Sequence, residues 1–329
     1  MTIDGMLDGT YPTDFDQFIG QVPAIRQLKV SIASAKARKV PLPHVLIASG
    51  EPGVGKTALG QLIAIGMGKK LHVVSGKISF AQIRLILASE VNDGDILLYD
   101  EIHTAVKGGR GNADWMLHLL ENGTLLGPVG VEEIPKITVV GTTTDVGKLP
   151  DPIRDRFPVQ PIITPYSADE AQRIAFSMGM KVFSDTGSKV PGPDTCARLA
   201  ELGTNNPRVI RSLLEGLRDL AIVSGNANYS NGEYDLTELL ELTGMTTDGL
   251  DPLAQRYLHA LFKNFAGNPV GESTIAETLN EPGGVKRVER VLMKRDLICK
   301  TKQGRMLTNS GIRRAKELAF ANKELVAVA

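Results

Sequence analysis

Short apolar runs alternate with helical patterns through the first half of the chain. The runs are "PHVLIASG", "KLHVVSG", "GDILLYDEIH", "KITVVGTTT" and "VQPIIT", and stretches with helical spacing such as "FAQIRLILASEV" and "NADWMLHLLENG" lie between them. Nearly continuous apolar strands are typical of a parallel sheet that is buried on both faces. The alternation therefore predicts a doubly wound α/β domain with a parallel sheet, which we assign to residues 1–165.

The strand pattern ends at Pro165, and helical patterns follow. Ser167 and Glu170 have the spacing of a capping box at the start of the first of these helices. Further helical stretches are "DTCARLAELG", "NPRVIRSLLEGLRDLAIVSG" and "DLTELLELTG". We predict a small helical domain over residues 166–246. The segment "MTTDGLDP" is interpreted as a linker to a third domain, residues 247–329, with three helices, a hairpin in "DLICKTKQGRMLT" and a last helix.

The composition indicates a globular protein without a membrane segment. Hydrophobic residues make up 42% of the chain and charged residues 22%, which is ordinary for a soluble protein. No apolar run approaches the ~20 residues of a membrane span, and the N-terminal residues lack a signal-peptide pattern. Cys196 and Cys299 match no metal or redox spacing, so we interpret both as reduced thiols. We expect a cytoplasmic protein.

Charge is unevenly distributed although the net charge is zero. Residues 250–329 contain 14 Lys and Arg against 8 Asp and Glu, and within residues 285–316 the numbers are 11 and 2. Such asymmetry indicates a C-terminal domain that binds a polyanion. Composition alone leaves open the alternative of a solvated basic helix.

The stretch "GEPGVGKT", Gly50 to Thr57, fits the G-x-x-x-x-G-K-[ST] pattern and lies between a predicted strand and a predicted helix. Glycines allow backbone N–H groups to surround phosphate oxygens, and the following helix start adds a positive dipole. Lys56 would reach the β- and γ-phosphates, and the Thr57 hydroxyl would bind Mg²⁺. The alternative, a tight glycine turn with an exposed lysine, does not explain this context.

A second motif, "DILLYDE", places Asp100 and Glu101 at the end of an apolar strand. Open α/β sheets bind ligands at that edge, beside the phosphate loop. Asp100 would orient Mg²⁺, and Glu101 would polarise the attacking water. Two carboxylates at a strand end are often solvated surface, but the upstream phosphate loop favours the catalytic interpretation.

Together these features resemble the AAA+ ATPases and, within them, the RuvB family of Holliday-junction branch-migration motors, over residues 14–320. The resemblance implies a P-loop AAA+ domain, a small helical lid domain and a C-terminal winged-helix domain. It also implies ATP and Mg²⁺ as cofactors and a hexameric ring. The nucleotide contacts that it implies are Ile19, Gly20, Gly50, Glu51, Pro52, Gly53, Val54, Gly55, Lys56, Thr57, Ala58, Tyr166 and Arg208.

Three further residues receive catalytic roles from this resemblance. "GTTTDVG" is similar to the sensor-1 segment, with Thr144 near the γ-phosphate or the water. "DPIRDRF" is similar to the arginine-finger segment, so Arg156 would enter the neighbouring subunit's site and Arg154 would support it. Thr57 and Asp100 would form the metal site.

The last domain resembles the winged-helix domain of the same family. This implies contact with duplex or four-way junction DNA through phosphates and independently of sequence. The residues implied are Lys286, Arg287, Arg290, Lys302 and Arg305. A winged helix that docks protein instead of DNA is the alternative interpretation.

Several segments depart from the family pattern. "GTYPTDF" lacks the usual arginine, "GTNNPRVI" has an extra asparagine, and the region 121–138 is shorter than the protruding hairpin that grips the family's junction-recognition partner. We therefore expect weak or no binding of that partner. A loader or initiator-like nucleotide switch, and a clamp-loader-type remodeller, remain alternative functions.

Overall fold

The computed structural model describes residues 11–106, 110–127, 130–224 and 232–328. The chain divides into two compact units. The first comprises Met1–Ala200, Asn205–Arg218 and Tyr229–Glu233, and the second comprises Glu201–Thr204, Asp219–Asn228 and Tyr234–Ala329. None of the helices in the described part of the chain is both long and apolar enough to cross a membrane.

The first unit is built around a four-stranded parallel sheet. Its strands, in spatial order, are β1 (Val45–Ala48), β6 (Thr138–Thr143), β3 (Ile96–Asp100) and β2 (Leu71–Ser75). β6 is buried along its whole length and β3 as far as Tyr99, as expected for parallel strands covered on both faces. The prediction of a parallel α/β sheet is confirmed.

The predicted strand "VQPIIT" is not a full strand. The structure shows only two isolated parallel bridges to β1, Val45 with Val159 and Ala48 with Ile162. Pro158 and Pro161 explain the difference, because proline has no N–H to donate to a ladder and is tolerated only at sheet edges. The segment therefore lies along the sheet edge without forming a continuous fifth strand.

Helices and one hairpin complete the sheet domain. The helices are α1 (Val22–Arg38), α2 (Lys56–Met67), α3 (Phe80–Ser89), α4 (Arg110–Asn122) and α5 (Asp151–Arg154), and the antiparallel hairpin is β4 (Thr124–Gly127) with β5 (Gly130–Glu133). α3 begins with a reciprocal capping box between Ser79 and Gln82. Side chains of α3, α4, β3 and the hairpin share one apolar core, which includes Ile83, Tyr99 and Leu125.

The helices after the sheet are α6 (Ala168–Val182), α7 (Pro193–Leu202), α8 (Pro207–Val223) and α9 (Thr237–Thr243). The predicted capping box is present: the Ser167 side chain accepts from the backbone of Glu170, whose carboxylate accepts from the Ser167 backbone. The boundary between the two compact units falls within α7, after Ala200, and within α8, after Arg218. The boundaries at residues 165 and 246 therefore stay predictions from sequence.

The C-terminal part has the element order of a winged helix. It contains α10 (Pro252–Lys263), α11 (Glu272–Thr278), α12 (Lys286–Lys294), the hairpin β7 (Ile298–Thr301) with β8 (Gly304–Leu307), and α13 (Asn309–Val328). These elements enclose their own apolar core, with Tyr257, Leu261 and Leu292 fully buried. A single bridge between Val270 and Arg305 joins the hairpin to the segment before α11.

Candidate nucleotide site and nucleic-acid surface

The phosphate loop connects β1 to α2. Gly53 and Gly55 have φ angles of 80° and 94°, a left-handed conformation that glycine adopts without steric cost. α2 begins at Lys56 directly after Gly55, so its first N–H groups face the loop. Left-handed glycines beside a helix start form the kind of concave donor group that binds anions.

Lys56 is held inside this loop. Its side chain is buried, and its Nζ donates to the carbonyl oxygen of Glu51 at 3.0 Å and to Oγ of Ser49 at 3.3 Å. These are neutral acceptors, and a phosphate oxygen would bind the ammonium more strongly because it is charged. Thr57 is exposed at the first turn of α2.

Asp100 and Glu101 lie at the end of β3, where threonines of β6 and of the segment after it bind both carboxylates. Thr142 Oγ1 donates to Oδ1 of Asp100 at 2.6 Å. The backbone N–H and the hydroxyl of Thr144 donate to Oε2 of Glu101 at 3.1 and 3.0 Å. The structure therefore brings together three residues that sequence assigned to catalysis from two distant segments.

Sequence reasoning missed two members of this cluster. His103 Nδ1 lies 3.1 Å from Oε2 of Glu101 and 2.9 Å from Oγ1 of Thr143. The Thr142 hydroxyl, which donates to Asp100, also accepts from the backbone N–H of Glu101 at 3.3 Å. The signals that could have found them are the histidine of "DEIH" and the three consecutive threonines of "GTTTDVG".

Asp100 and Glu101 line a cavity of about 990 Å³, at the upper end of the range for small-molecule sites. Of the nucleotide contacts expected from sequence, the lining contains Ile19, Pro52, Gly53, Gly55, Lys56, Thr57, Ala58, Tyr166 and Arg208, together with Asp100 and Glu101. Gly20, Gly50, Glu51 and Val54 are not part of it. Gly20 instead packs so tightly that a Cβ there would lie 2.7 Å from Oε1 of Glu170.

Tyr166 contacts the phosphate loop itself. Its hydroxyl donates to the carbonyl oxygen of Val54 at 3.0 Å. Burial raises the pKa of Tyr166 above its ordinary value, so the phenol stays protonated and keeps donating at neutral pH. The structure thus gives this tyrosine a contact with the loop as well as a place in the cavity wall.

Arg154 and Arg156 lie away from the cavity of their own chain. Arg154 pairs with Asp151 at 2.8 Å, and Arg156 pairs with Glu121 at 3.1 Å. Both guanidinium groups are partly exposed. This surface position is compatible with the expected action of Arg156 on a neighbouring subunit.

The basic residues of the winged helix fall into two groups. Lys286, Arg287 and Lys302 are exposed, and Arg290 is partly exposed. Arg287 pairs with Asp251 at 2.9 Å on the surface. Exposed ion pairs of this kind contribute little stability, so such side chains can exchange a carboxylate for a phosphate.

Arg305 differs from the expectation that it contacts DNA. Its side chain is only 12% exposed, its Nη2 lies 2.6 Å from Oε2 of Glu272, and its Nε lies 2.9 Å from Oε1 of Glu289. The Tyr257 hydroxyl donates to the same Glu289 oxygen at 2.9 Å. Burial acts to lower the pKa of Arg305, but the carboxylates of Glu289 and Glu272 outweigh it and raise the pKa. The guanidinium joins β8 to α11 and α12, and Tyr257 of α10 binds the same Glu289 carboxylate.

Comparisons with known proteins identify the family. Residues 10–162 match the profile described as the Holliday junction DNA helicase RuvB P-loop domain, and residues 247–316 match the RuvB C-terminal winged helix domain. The Holliday junction branch migration complex subunit RuvB of Anaeromyxobacter sp. (strain K) is 33% identical over 303 residues, covering 90% of this chain and 86% of that protein. The chain belongs to the RuvB family.

Similarity to RuvB proteins extends over nearly the whole chain. The RuvB subunit of Paramagnetospirillum magneticum is 34% identical over 311 residues, covering 92% of this chain and 87% of that protein. A solved structure of Thermotoga maritima RuvB, described as a Holliday junction branch migration motor, has a TM-score of 0.80 at 26% identity and covers 93% of this chain and 98% of that chain. The predicted fold class and the assignment as a RuvB-family P-loop ATPase are confirmed.

The carboxylate of Glu101 is the first group to test. We expect Glu101→Gln to bind ATP and to lower hydrolysis by about 10²-fold or more, because the amide can accept from Thr144 but cannot accept a proton from water. Lys56→Ala, in contrast, should lose nucleotide binding. Steady-state ATPase assays and equilibrium binding of a fluorescent ATP analogue distinguish the two variants. Turnover by Glu101→Gln at the parent rate would contradict the assigned role.

Arg305 and Lys302 form a matched pair for the nucleic-acid surface. Arg305→Ala should lower the free energy of unfolding by on the order of 3 kcal/mol, because it leaves a buried carboxylate, Glu289, without its cation. Lys302→Ala should leave stability unchanged, weaken binding to all DNA sequences about equally, and reduce the salt slope by ~1. Urea unfolding and salt-dependent DNA titrations measure both effects. The reverse assignment of effects would show that Arg305 is the phosphate contact.

Proposed function

We propose that this protein is an ATP-hydrolysing ring motor that drives branch migration, or translocation on duplex DNA, at four-way junctions. The observation that carries the proposal is the cavity in which Lys56, Asp100 and Glu101 converge, in a chain that belongs to the RuvB family. Relatives over nearly the whole length are described as subunits of a Holliday junction branch migration complex.

Mg²⁺ would be held by Thr57 and Asp100. Their hydroxyl and carboxylate both line the cavity, and such oxygen ligands, few in number and completed by water and phosphate, suit Mg²⁺. No cluster of three or more His, Cys, Asp or Glu side chains that could hold a metal occurs among the residues that the structure describes. When bound, Mg²⁺ neutralises charge on the phosphate oxygens.

Glu101 would orient and deprotonate the attacking water. Thr144 and His103 both hold the same oxygen of this carboxylate, so they fix its direction before substrate arrives. Lys56 would transfer its Nζ from the loop carbonyl to the β- and γ-phosphates. Thr144 is then free to move its hydroxyl to the γ-phosphate or the water, the position that sequence suggests for it.

The ring would complete the site in trans. Arg156 pairs with Glu121 and is not among the residues that line its own cavity, and it would reach the nucleotide of the adjacent subunit, with Arg154 in support. An arginine supplied in this way contributes ~10³–10⁵ in rate in related phosphoryl-transfer systems. Assembly and DNA binding would then control hydrolysis, with Lys286, Arg287, Arg290 and Lys302 contacting phosphates.

A four-way junction assay tests the function directly. With ATP and Mg²⁺ the parent chain should dissociate a mobile junction into duplex products, and Glu101→Gln should not. ATPase activity should rise with duplex or junction DNA. Strong ATP-dependent assembly on DNA without junction movement, at a turnover that DNA leaves unchanged, would favour the loader-type switch instead.

Mixing variants tests the intersubunit arginine. Arg156→Ala and Lys56→Ala chains should each be inactive alone, and an equal mixture should regain part of the ATPase activity, since each supplies what the other lacks. Size-exclusion chromatography must show that the variants assemble. A mixture as inactive as its components, despite assembly, would exclude action of Arg156 in trans.

The hairpin β4–β5 limits docking of a junction-recognition partner. Each strand has four residues, and residues 128–129 between them lie outside the described ranges. Leu125 is fully buried in the core, and among the residues of the hairpin that the structure describes, Leu126 and Val131 offer apolar area to a partner, with exposed fractions of 37% and 63%. Two such side chains fall far short of the ~800 Å² per side of a standard interface.

We therefore expect no submicromolar binding of the family's junction-recognition partner. Calorimetric titration should give no tight complex with the parent chain or with the variant Leu126→Ser/Val131→Ser. Leu125 is unsuitable for this test because its replacement would disturb the core. A submicromolar affinity that the double substitution abolishes would contradict the expectation.

A further inference from the structure

Asn206 connects the start of α8 to the phosphate loop. Its Nδ2 donates to the carbonyl oxygen of Pro52 at 2.8 Å, across 154 positions of sequence. Its Oδ1 accepts from the backbone N–H of Arg208 at 3.0 Å. Only the nitrogen of an amide side chain can donate and only the oxygen can accept, so both contacts together fix its orientation.

The contact depends on a close approach that only glycine permits. A Cβ at Gly53 would lie 2.6 Å from Oδ1 of Asn206 and 2.8 Å from Cβ of Arg208. Gly53 also has a φ angle of 80°. The backbone of the phosphate loop at Gly53 thus packs directly against the side chains of Asn206 and Arg208 at the start of α8.

The bond to Pro52 determines where the next N–H group points. No cis peptide bond occurs in the described part of the chain, and in a trans peptide the C=O and the N–H point in opposite directions. Holding the Pro52 oxygen toward Asn206 therefore directs the N–H of Gly53 away from it. Tyr166 acts in the same way two residues later, because it holds the Val54 oxygen and so directs the N–H of Gly55.

We propose that Asn206 is a positioning residue for the phosphates of a bound nucleoside di- or triphosphate. Its side chain holds the Pro52 carbonyl outward, which presents the Gly53 N–H to the anion, and its cap fixes the turn of α8 that carries Arg208. One amide thereby couples the orientation of α8 to the shape of the phosphate loop. The inference rests on the nucleotide site proposed above.

The variant Asn206→Ser separates the two roles of the amide. Serine is as good an N-cap as asparagine and can accept from the Arg208 N–H, but it is too short to reach Pro52. The dissociation constants for fluorescent ADP and ATP analogues should rise about five-fold, the effect of one lost hydrogen bond. The melting temperature without nucleotide should fall less than in Asn206→Ala, because serine keeps the cap, and its increase on adding nucleotide should become smaller than in the parent.

Two further variants serve as controls. Asn206→Ala removes the cap as well as the donor, so it should lower the melting temperature without nucleotide in addition to weakening binding. Asn205→Gly removes the neighbouring amide, whose φ of 59° glycine adopts readily and whose Nδ2 makes one long contact, 3.4 Å, with the carbonyl oxygen of Tyr166. It should leave the dissociation constants within two-fold of the parent.

The outcomes distinguish this inference from the proposed function. Nucleotide binding by Asn206→Ser equal to that of the parent would reduce Asn206 to a helix cap and overturn the inference alone. An equal loss in Asn205→Gly would also overturn it, since the whole segment and not the amide of Asn206 would then matter. A parent chain that binds no nucleotide would overturn the proposed function and this inference with it.

Discussion

The parallel pairing of β3 with β6 determines where chemistry can occur in this chain. Tyr99 lies opposite Gly141, so the residues that follow both strands emerge at one edge of the sheet. β1 pairs with the other side of β6, with Ala48 opposite Thr143, and delivers the phosphate loop to the same edge. Asp100 therefore meets the loop and the threonines without any special feature of its own segment. A shift of one residue in this register would turn every one of these side chains to the other face.

Carboxylates at both ends of β3 are hydrogen-bonded, but one end is buried and the other is partly open to the cavity. Asp95, at the start of the strand, is buried and lies 2.9 Å from Nε2 of His72. Burial alone would raise the pKa of Asp95, but the bonds from His72 and the N–H of Asn92 outweigh it, so the pKa lies below its usual value. At the other end Asp100 and Glu101 line the cavity, and their partners among the described residues include the hydroxyl groups of Thr142 and Thr144, the N–H of Thr144 and the imidazole of His103. The same residue type thus serves structure at one end of the strand and, in the proposed function, chemistry at the other.

The features that could be predicted from sequence are local motifs, and the features that could not be predicted depend on contacts between distant residues. The phosphate loop, the capping box at Ser167 and the carboxylates after β3 are three separate motifs. Each lies within a short stretch of consecutive residues, so the spacing of its residues was enough to predict it. The prediction of a full strand at "VQPIIT" was wrong, because two prolines interrupt the hydrogen bonding that its apolar pattern indicates. The buried position of Arg305 could not be predicted, because Glu272 and Glu289 approach it only in the folded domain. The contact of Asn206 with Pro52 has no sequence signal for the same reason, since the partners are far apart in the chain.

Exposure separates the arginines that can act from those that support the fold. Arg156 and Arg287 have carboxylate partners at 3.1 and 2.9 Å, but these pairs lie at the surface, where they are worth at most about 1 kcal/mol. A phosphate with a higher charge can displace such a partner at little cost, so a surface pair keeps the guanidinium ordered without committing it. Arg305 has a contact of similar length, 2.9 Å to Glu289, yet Glu289 is only 4% exposed, and removing the cation would leave a desolvated charge. Contact distance therefore does not separate the two groups, since Arg287 and Arg305 both have a carboxylate oxygen at 2.9 Å. The exposure of the carboxylate separates them, and in the proposed function it decides whether an arginine can exchange its partner for a phosphate.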